Sequence, residues 1–227
     1  MGSKKNKRKD NLNWISKLID LLIVIIGITI AFQLNNLRES NKSVAKEKEY
    51  IKSFYDESKD NESYLSSALN FSISNKNDID TLKQILLSGR YYDKRIKVLT
   101  ASMLGMENFN PSITTMENIT ASGEFELLKD IELRKRIINT YDFYNTTLEL
   151  ENLLTDYVNK YVTPVWFNHI RLSNMSYIDS TFIQGPLFEN VVFGYEVLLN
   201  QQIKGYQENL ERVKHLNKIL AIANEEQ

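Results

Sequence analysis

Two hydrophobic patterns dominate this chain. Near its start, residues 21–32 read LLIVIIGITIAF, uncharged and almost wholly apolar. With Leu18 and Ile19 before the run and Leu34 and Leu37 after it, a helix here reaches ~26–30 Å, the thickness of bilayer hydrocarbon. Near its end, Val192, Tyr195, Leu199, Ile203, Tyr206, Leu210, Val213, Leu216 and Leu220 recur every three or four residues. That spacing draws one apolar stripe down about eight helical turns, and such a stripe must be covered by other helices.

Weaker patterns lie between them. After the apolar run, Val44, Ile51, Tyr55, Leu65 and Leu69 trace an incomplete stripe, with polar Ser58 and Glu62 at the gap positions. The polar stretch 72–80 (SISNKNDID) predicts a break, and a short helix over 79–87 then stops at Ser88-Gly89. A second short helix is expected over 96–104, and Asn110-Pro111 signals a turn. Thr114 or Thr115 is a candidate N-cap for a segment interrupted at Gly123. Asp130 is the candidate cap of a long helix carrying Leu133, Ile137, Tyr141, Tyr144, Leu148, Leu154, Tyr157 and Tyr161, until Pro164 kinks or ends it. Residues 173–186 read as loop. No sustained period-2 pattern occurs, so the expected class is all-α: an N-terminal transmembrane helix followed by an antiparallel helical bundle. The membrane-proximal, middle and C-terminal helices are its long members.

Composition supports this reading and narrows the chemistry. Of 227 residues only 8 are Gly and 3 are Pro, which favours long helices over a many-turned β-sandwich. There is no cysteine, which removes disulfides, thiolate metal sites and cysteine nucleophiles. Two histidines, His169 and His215, are little material for a His-rich metal site. A formal net charge of −1 creates no basic field for nucleic acid.

The flanks of the apolar run orient it. Lys4, Lys5, Lys7, Arg8, Lys9 and Lys17 precede it against Asp10 alone, whereas Arg38, Lys42 and Lys46 after it are interleaved with Glu39, Glu47 and Glu49. The positive-inside rule then keeps the N-terminus in the cytoplasm and exports the bulk, with Trp14 at the interface. The expected organisation is a basic cytoplasmic tail over 1–17, a membrane helix over 18–37, and an exported periplasmic domain over 38–227. A cleavable signal peptide competes, with Thr29-Ile30-Ala31 as a poor cleavage site. The polar Gln33, Asn35 and Asn36 favour a helix continuing out of the membrane. A core helix of a soluble protein leaves the basic tail unexplained.

Within the span, Gly27 and Ala31 form a small-xxx-small pair that lets two membrane helices approach. Asp20 is an intramembrane carboxylate, hence a candidate for ion coupling, although Lys17 and the headgroups lie within about a turn. No phosphate loop, dinucleotide fingerprint, zincin motif or nucleophile elbow is present. Ser122-Gly123-Glu124 with Asp130 and Glu132 reads as a helix junction with capping carboxylates. Glu151 and Asp156 read as a solvated face, His169 as a core or interface histidine, and the helical tyrosines as core residues with hydroxyls at its boundary. No catalytic, cofactor or metal residue is assigned, and no enzyme activity is expected.

The chain also resembles a family. Ile19-Asp20-Leu21, Ile26-Gly27-Ile28, then Ile30-Ala31-Phe32-Gln33-Leu34-Asn35-Asn36 is similar to the N-terminus of a Bacteroidetes family of uncharacterised single-pass membrane proteins. Glu117-Asn118-Ile119, Ser122-Gly123, Leu127 through Arg134, Ile137-Ile138 and Tyr141 are similar to that family's central block. The family carries Trp where this chain has Leu37. The resemblance implies an inner-membrane anchor and a periplasmic helical domain, and it adds weight to Asp20, Gln33 and Asn36. Asp20, Gly27, Ala31, Gln33 and Asn36 are therefore the candidate membrane-helix contacts. The expected role is a membrane-anchored interaction, scaffold or accessory protein, with the bilayer and either a second copy or another membrane protein as partners. The alternatives are an ion-coupled single-span subunit using Asp20 and a periplasmic ligand-binding domain.

Overall fold

The structure, a computed structural model, describes the backbone from Asn6 to Glu225 and side chains from Trp14 to Glu225. The basic residues expected to hold the tail in the cytoplasm lie mostly outside the described side chains. The chain divides into two compact units, Met1–Glu49 and Tyr50–Gln227.

In the first unit, helix α1 (Asn6–Leu87) begins. Every described side chain from Trp14 to Lys42 is exposed, including Ile23, Ile28 and Phe32. Among the described residues α1 is the one helix long and apolar enough to cross a membrane, with a mean hydropathy of 2.4 in its most apolar stretch. Its internal hydroxyl is satisfied locally, since Thr29 Oγ1 donates to the Ile25 carbonyl at 2.8 Å. A helix in hydrocarbon must close its own polar groups in this way.

The second unit is an all-α bundle built from the C-terminal part of α1, α4 (Ile131–Tyr157) and α6 (Pro186–Glu225). Cross-helix bonds give the directions. Asn75 Nδ2 donates to Tyr195 Oη (2.7 Å) while Asn217 Nδ2 donates to the Ser58 carbonyl (3.4 Å), so α6 runs antiparallel to α1. Asn209 to Thr147 and Tyr206 to Glu151 make α6 antiparallel to α4 as well. Phe54 against Tyr141 and Asn61 against Tyr144 show α1 and α4 running the same way. Two parallel neighbours cannot be joined by a tight turn, so residues 88–130 return along the bundle. This crossover contains α2 (Ile96–Ser102), α3 (Thr114–Ser122) and a 3₁₀ turn at Phe125–Leu127. Phe54, Leu65, Ile79, Ile137, Tyr144, Val192, Tyr195, Tyr206 and Val213 centre the core.

The C-terminal stripe is buried at all nine expected positions. Asp130 caps α4 by accepting from the amides of Glu132 and Leu133. Ser88-Gly89 and Gly123 end their helices as expected. Each glycine has φ of +68°, and each is followed by a residue bonded back to the last turn (Arg90 to Ile85, Glu124 to Ile119). A left-handed stop of this kind strongly favours glycine.

Several local expectations are corrected. The predicted break over 72–80 does not occur, because α1 continues to Leu87. Ser72, Asn75, Ile79 and Leu82 occupy one buried face, and packing overrides the segment's poor propensity. Neither Thr114 nor Thr115 is the N-cap of α3. Ile113 holds that position and has no side chain able to cap. Glu151 is not solvated but only 3% exposed, whereas Asp156 is exposed as expected. At Pro164 the chain stays helical: a π-turn (Val158–Val162) leads into α5 (Thr163–His169), absorbing the proline's missing amide hydrogen. The expected loop beyond α5 holds a small antiparallel ladder, β1 (Ile170–Arg171) with β2 (Ser176–Tyr177), and a 3₁₀ turn.

Candidate functional site

The five residues singled out in the span are all helical and exposed on α1. At about 100° per residue, Asp20, Gly27 and Ala31 share an arc of roughly 40°. Gln33 and Asn36 project from the opposite side of the helix. One helix partner thus meets either the Asp20–Gly27–Ala31 face or the Gln33–Asn36 face. A Cβ built on Gly27 meets nothing within 4 Å, so the space beside Gly27 is open.

In the bundle, the residues that look most like chemistry are two buried carboxylates. Glu57 on α1, 7% exposed, accepts hydrogen bonds from the Tyr141 hydroxyl, the Thr115 amide (2.8 Å), Thr115 Oγ1 (3.1 Å) and Ser112 Oγ (3.3 Å). All four groups, from three neighbouring residues, donate, which suits a group offering only acceptors. The Thr115 amide is one of the orphan donors at the start of α3, so a carboxylate from a different helix supplies the missing cap. Burial, then the adjacent Glu57, push the Tyr141 phenol far above its ordinary range, so the shared proton stays on tyrosine. One turn further along α1, Asn61 clamps the backbone of Ser112 from both sides. Its Oδ1 accepts from the amide at 2.7 Å and its Nδ2 donates to the carbonyl at 2.8 Å.

Glu151 on α4 does the same for an earlier point on the crossover. Its Oε1 accepts from the Phe109 amide (2.7 Å) and from the Tyr206 hydroxyl (2.5 Å). Burial raises its carboxyl above the usual range, and the two hydrogen bonds only partly oppose that rise. Tyr195 is pushed up to about 12 by burial, while Asn75 donates to its oxygen. Glu57, Asn61 and Glu151 are consumed in holding residues 109–115 against the long helices, and Asn75 and Tyr195 in joining α1 to α6. No ≥3-residue His, Asp or Glu grouping suited to a metal occurs among the described residues.

Open surface lies elsewhere. A groove of about 350 Å³ is lined by Tyr64, Ser67, Glu107, Asn108 and Asn110, with Ser67 donating to Glu107. It is shallow and largely polar, unlike the enclosed apolar pockets that hold small ligands. At the end of the bundle holding α2 and the β1–β2 ladder, Leu172 (53%), Met175, Tyr177 and Ile178 (56%) are exposed within one short stretch. Val98 is 69% exposed on α2, and the neighbouring Lys97 donates to the Met175 carbonyl at 2.6 Å, tying α2 to this stretch. His169, expected in a core or interface, is half-buried behind it and stacked on Phe182 at 4.1 Å.

Glu57 and Asn61 stand out by no local signal in the sequence, and Glu151, expected on a solvated face, is a buried carboxylate instead. Glu151 carried a usable signal, since it sits between Tyr144 and Leu154 in the apolar row of α4. Compared with known proteins, the chain matches no family model, no curated protein and no solved structure.

Proposed function

We propose that this chain is a membrane-anchored interaction module of the inner membrane, with its N-terminus in the cytoplasm and its bundle in the periplasm. The observation that carries the reading is the end of the bundle where α2 is tied to the 172–178 stretch and Val98, Leu172 and Ile178 are exposed, while the buried polar groups are spent on the fold. Clustered exposed apolar residues of this kind mark protein contacts. The basic residues ahead of the span and the resemblance to single-pass membrane proteins support the orientation. The partner is a protein, either another membrane protein or a second copy, and the open face at Gly27 and Ala31 admits a second helix beside the anchor.

The test is purification of the tagged full chain in mild detergent after crosslinking. A defined partner is expected with the wild type and with Leu153→Asp, an exposed position on α4. It should be lost with Leu172→Asp and with Ile178→Asp. Retention of the partner by both of these variants removes the assignment to this end of the bundle. Orientation is read separately from a C-terminal phosphatase fusion. An inactive phosphatase alongside an active cytoplasmic reporter at the same position reverses the topology.

A further inference from the structure

A second surface feature lies between α4 and α6. Arg136, Asn139 and Thr140 on α4 and Arg212, His215 and Leu216 on α6 line a cleft of about 100 Å³. No carboxylate stands among these residues. Among the described residues, Arg136 and Arg212 contact other groups: Arg136 Nη1 lies 3.3 Å from His215 Nδ1, and the Arg212 guanidinium lies 4.1 Å from the centre of the Phe143 ring. Of the acids within a turn on the same helices, Glu132 pairs with Lys135 and Glu208 with Lys204, while Asp142 and Glu211 stand outside the lining.

A guanidinium only donates, so Arg136 is the donor toward His215 Nδ1, which leaves the ring's Nε2 edge outside that contact. Stacking on Phe143 occupies the face of Arg212 and fixes its plane, leaving its edge N–H groups available. Thr140 Oγ1 is already turned to the Arg136 carbonyl (2.8 Å). Two positive charges, an imidazole and the Asn139 amide thus border one space with no acid in its lining. The cleft has room for one tetrahedral oxyanion. Arginine forks match phosphate oxygens in pairs.

We propose that this cleft binds a single phosphate group, held by Arg136 and Arg212 with His215 and Asn139 completing the shell. The phosphate comes either from a free solute or from the headgroup of an anionic lipid, and the same chemistry serves both.

The experiment titrates inorganic phosphate into the full chain in nonionic detergent at constant ionic strength, followed by calorimetry. Saturable binding is expected. Each of Arg136→Gln and Arg212→Gln removes charge-assisted bonds and should weaken binding about ten- to a hundredfold, with the exposed Lys94→Gln unchanged. Because both arginines are exposed, the variants should keep the wild-type helical signal and melting temperature, which is checked on the same samples. The titration is then repeated in bilayer discs of phosphatidylcholine, with and without phosphatidylglycerol. Suppression by phosphatidylglycerol assigns the site to lipid headgroups, and an unaltered titration assigns it to a free phosphate. Absence of saturable binding, or equal binding by the wild type and the Arg136→Gln/Arg212→Gln double variant, overturns the proposal.

Discussion

Replacing Glu57 tests whether the buried carboxylates hold the crossover or merely tolerate their place in the core. In Glu57→Ala the Thr115 amide loses its acceptor at the first turn of α3, a lost cap costing about 1 kcal/mol. The Tyr141 hydroxyl, buried with its ring against Phe54 and Tyr144, loses its partner at a cost of about 1–3 kcal/mol. The truncated side chain also leaves a void beneath residues 112–115. Together these amount to about 3–5 kcal/mol, since effects on one network do not simply add. Glu57→Gln keeps the shape. Its amide oxygen can serve Thr115, its amide nitrogen can donate to Tyr141, and the loss is about 1 kcal/mol as charge-assisted bonds become neutral ones. Urea unfolding of the full chain in mild detergent, followed by emission from the buried Trp166, gives the global cost. Hydrogen exchange by mass spectrometry locates it. Faster exchange in Glu57→Ala should concentrate in peptides covering 109–122 and spare the middle of α6. A cost below about 1 kcal/mol for the alanine variant, or unchanged exchange over 109–122, refutes the assignment of Glu57 as the cap of α3.

Glu151 behaves differently with pH. Its carboxyl is raised in the fold, so the folded protein holds the proton more tightly than the unfolded chain. Stability from this site is full below the ordinary carboxylate range and declines as pH rises toward the elevated folded value. Glu151→Gln, whose Oε1 can still accept from Phe109 and Tyr206, should flatten that decline, measured as urea midpoints across mildly acidic to neutral pH. Two helix glycines should respond with opposite signs. A Cβ on Gly194 falls 2.2 Å from Tyr157 Oη and 2.9 Å from its ring carbon, so Gly194→Ala should destabilise by about 1–3 kcal/mol. At Gly205 the obstacle is the terminal methyl of Leu150, which can swing aside, and Gly205→Ala should gain about 0.5–1 kcal/mol of helix propensity by the same urea assay.

How far the fold was legible depended on whether each element's partners were near in sequence. The C-terminal stripe and the Asp130 cap are local matters of period and neighbouring amides, and both were readable. The glycine stops at Gly89 and Gly123 follow from left-handed φ alone. The continuity of α1 through 72–80 was not readable, because Asn75 is paid for by Tyr195, far away in the chain. The cap of α3 was missed for the same reason: its acceptor lies on another helix. The span residues Asp20, Gly27, Ala31, Gln33 and Asn36 were legible as non-lipid features, but their division between two opposite faces emerges only once the helix is continuous through them.

The parallel run of α1 and α4 explains where the buried acids sit. An up-down-up order lets short turns join the helices, but here the chain must come back along the bundle before α4 begins. A returning segment of short helices and loops carries amides with no ladder to enter, and burying them unpaired is costly. Phe109, Ser112 and Thr115 are the points where those amides meet the long helices. Each is met by a side chain with acceptors, Glu151, Asn61 and Glu57 respectively. An apolar residue at any of these positions would pack equally well against helices alone but leave an amide without a partner. Buried carboxylates in this bundle therefore mark the path of the crossover, and a search for its binding chemistry belongs on the exposed end and in the arginine-lined cleft.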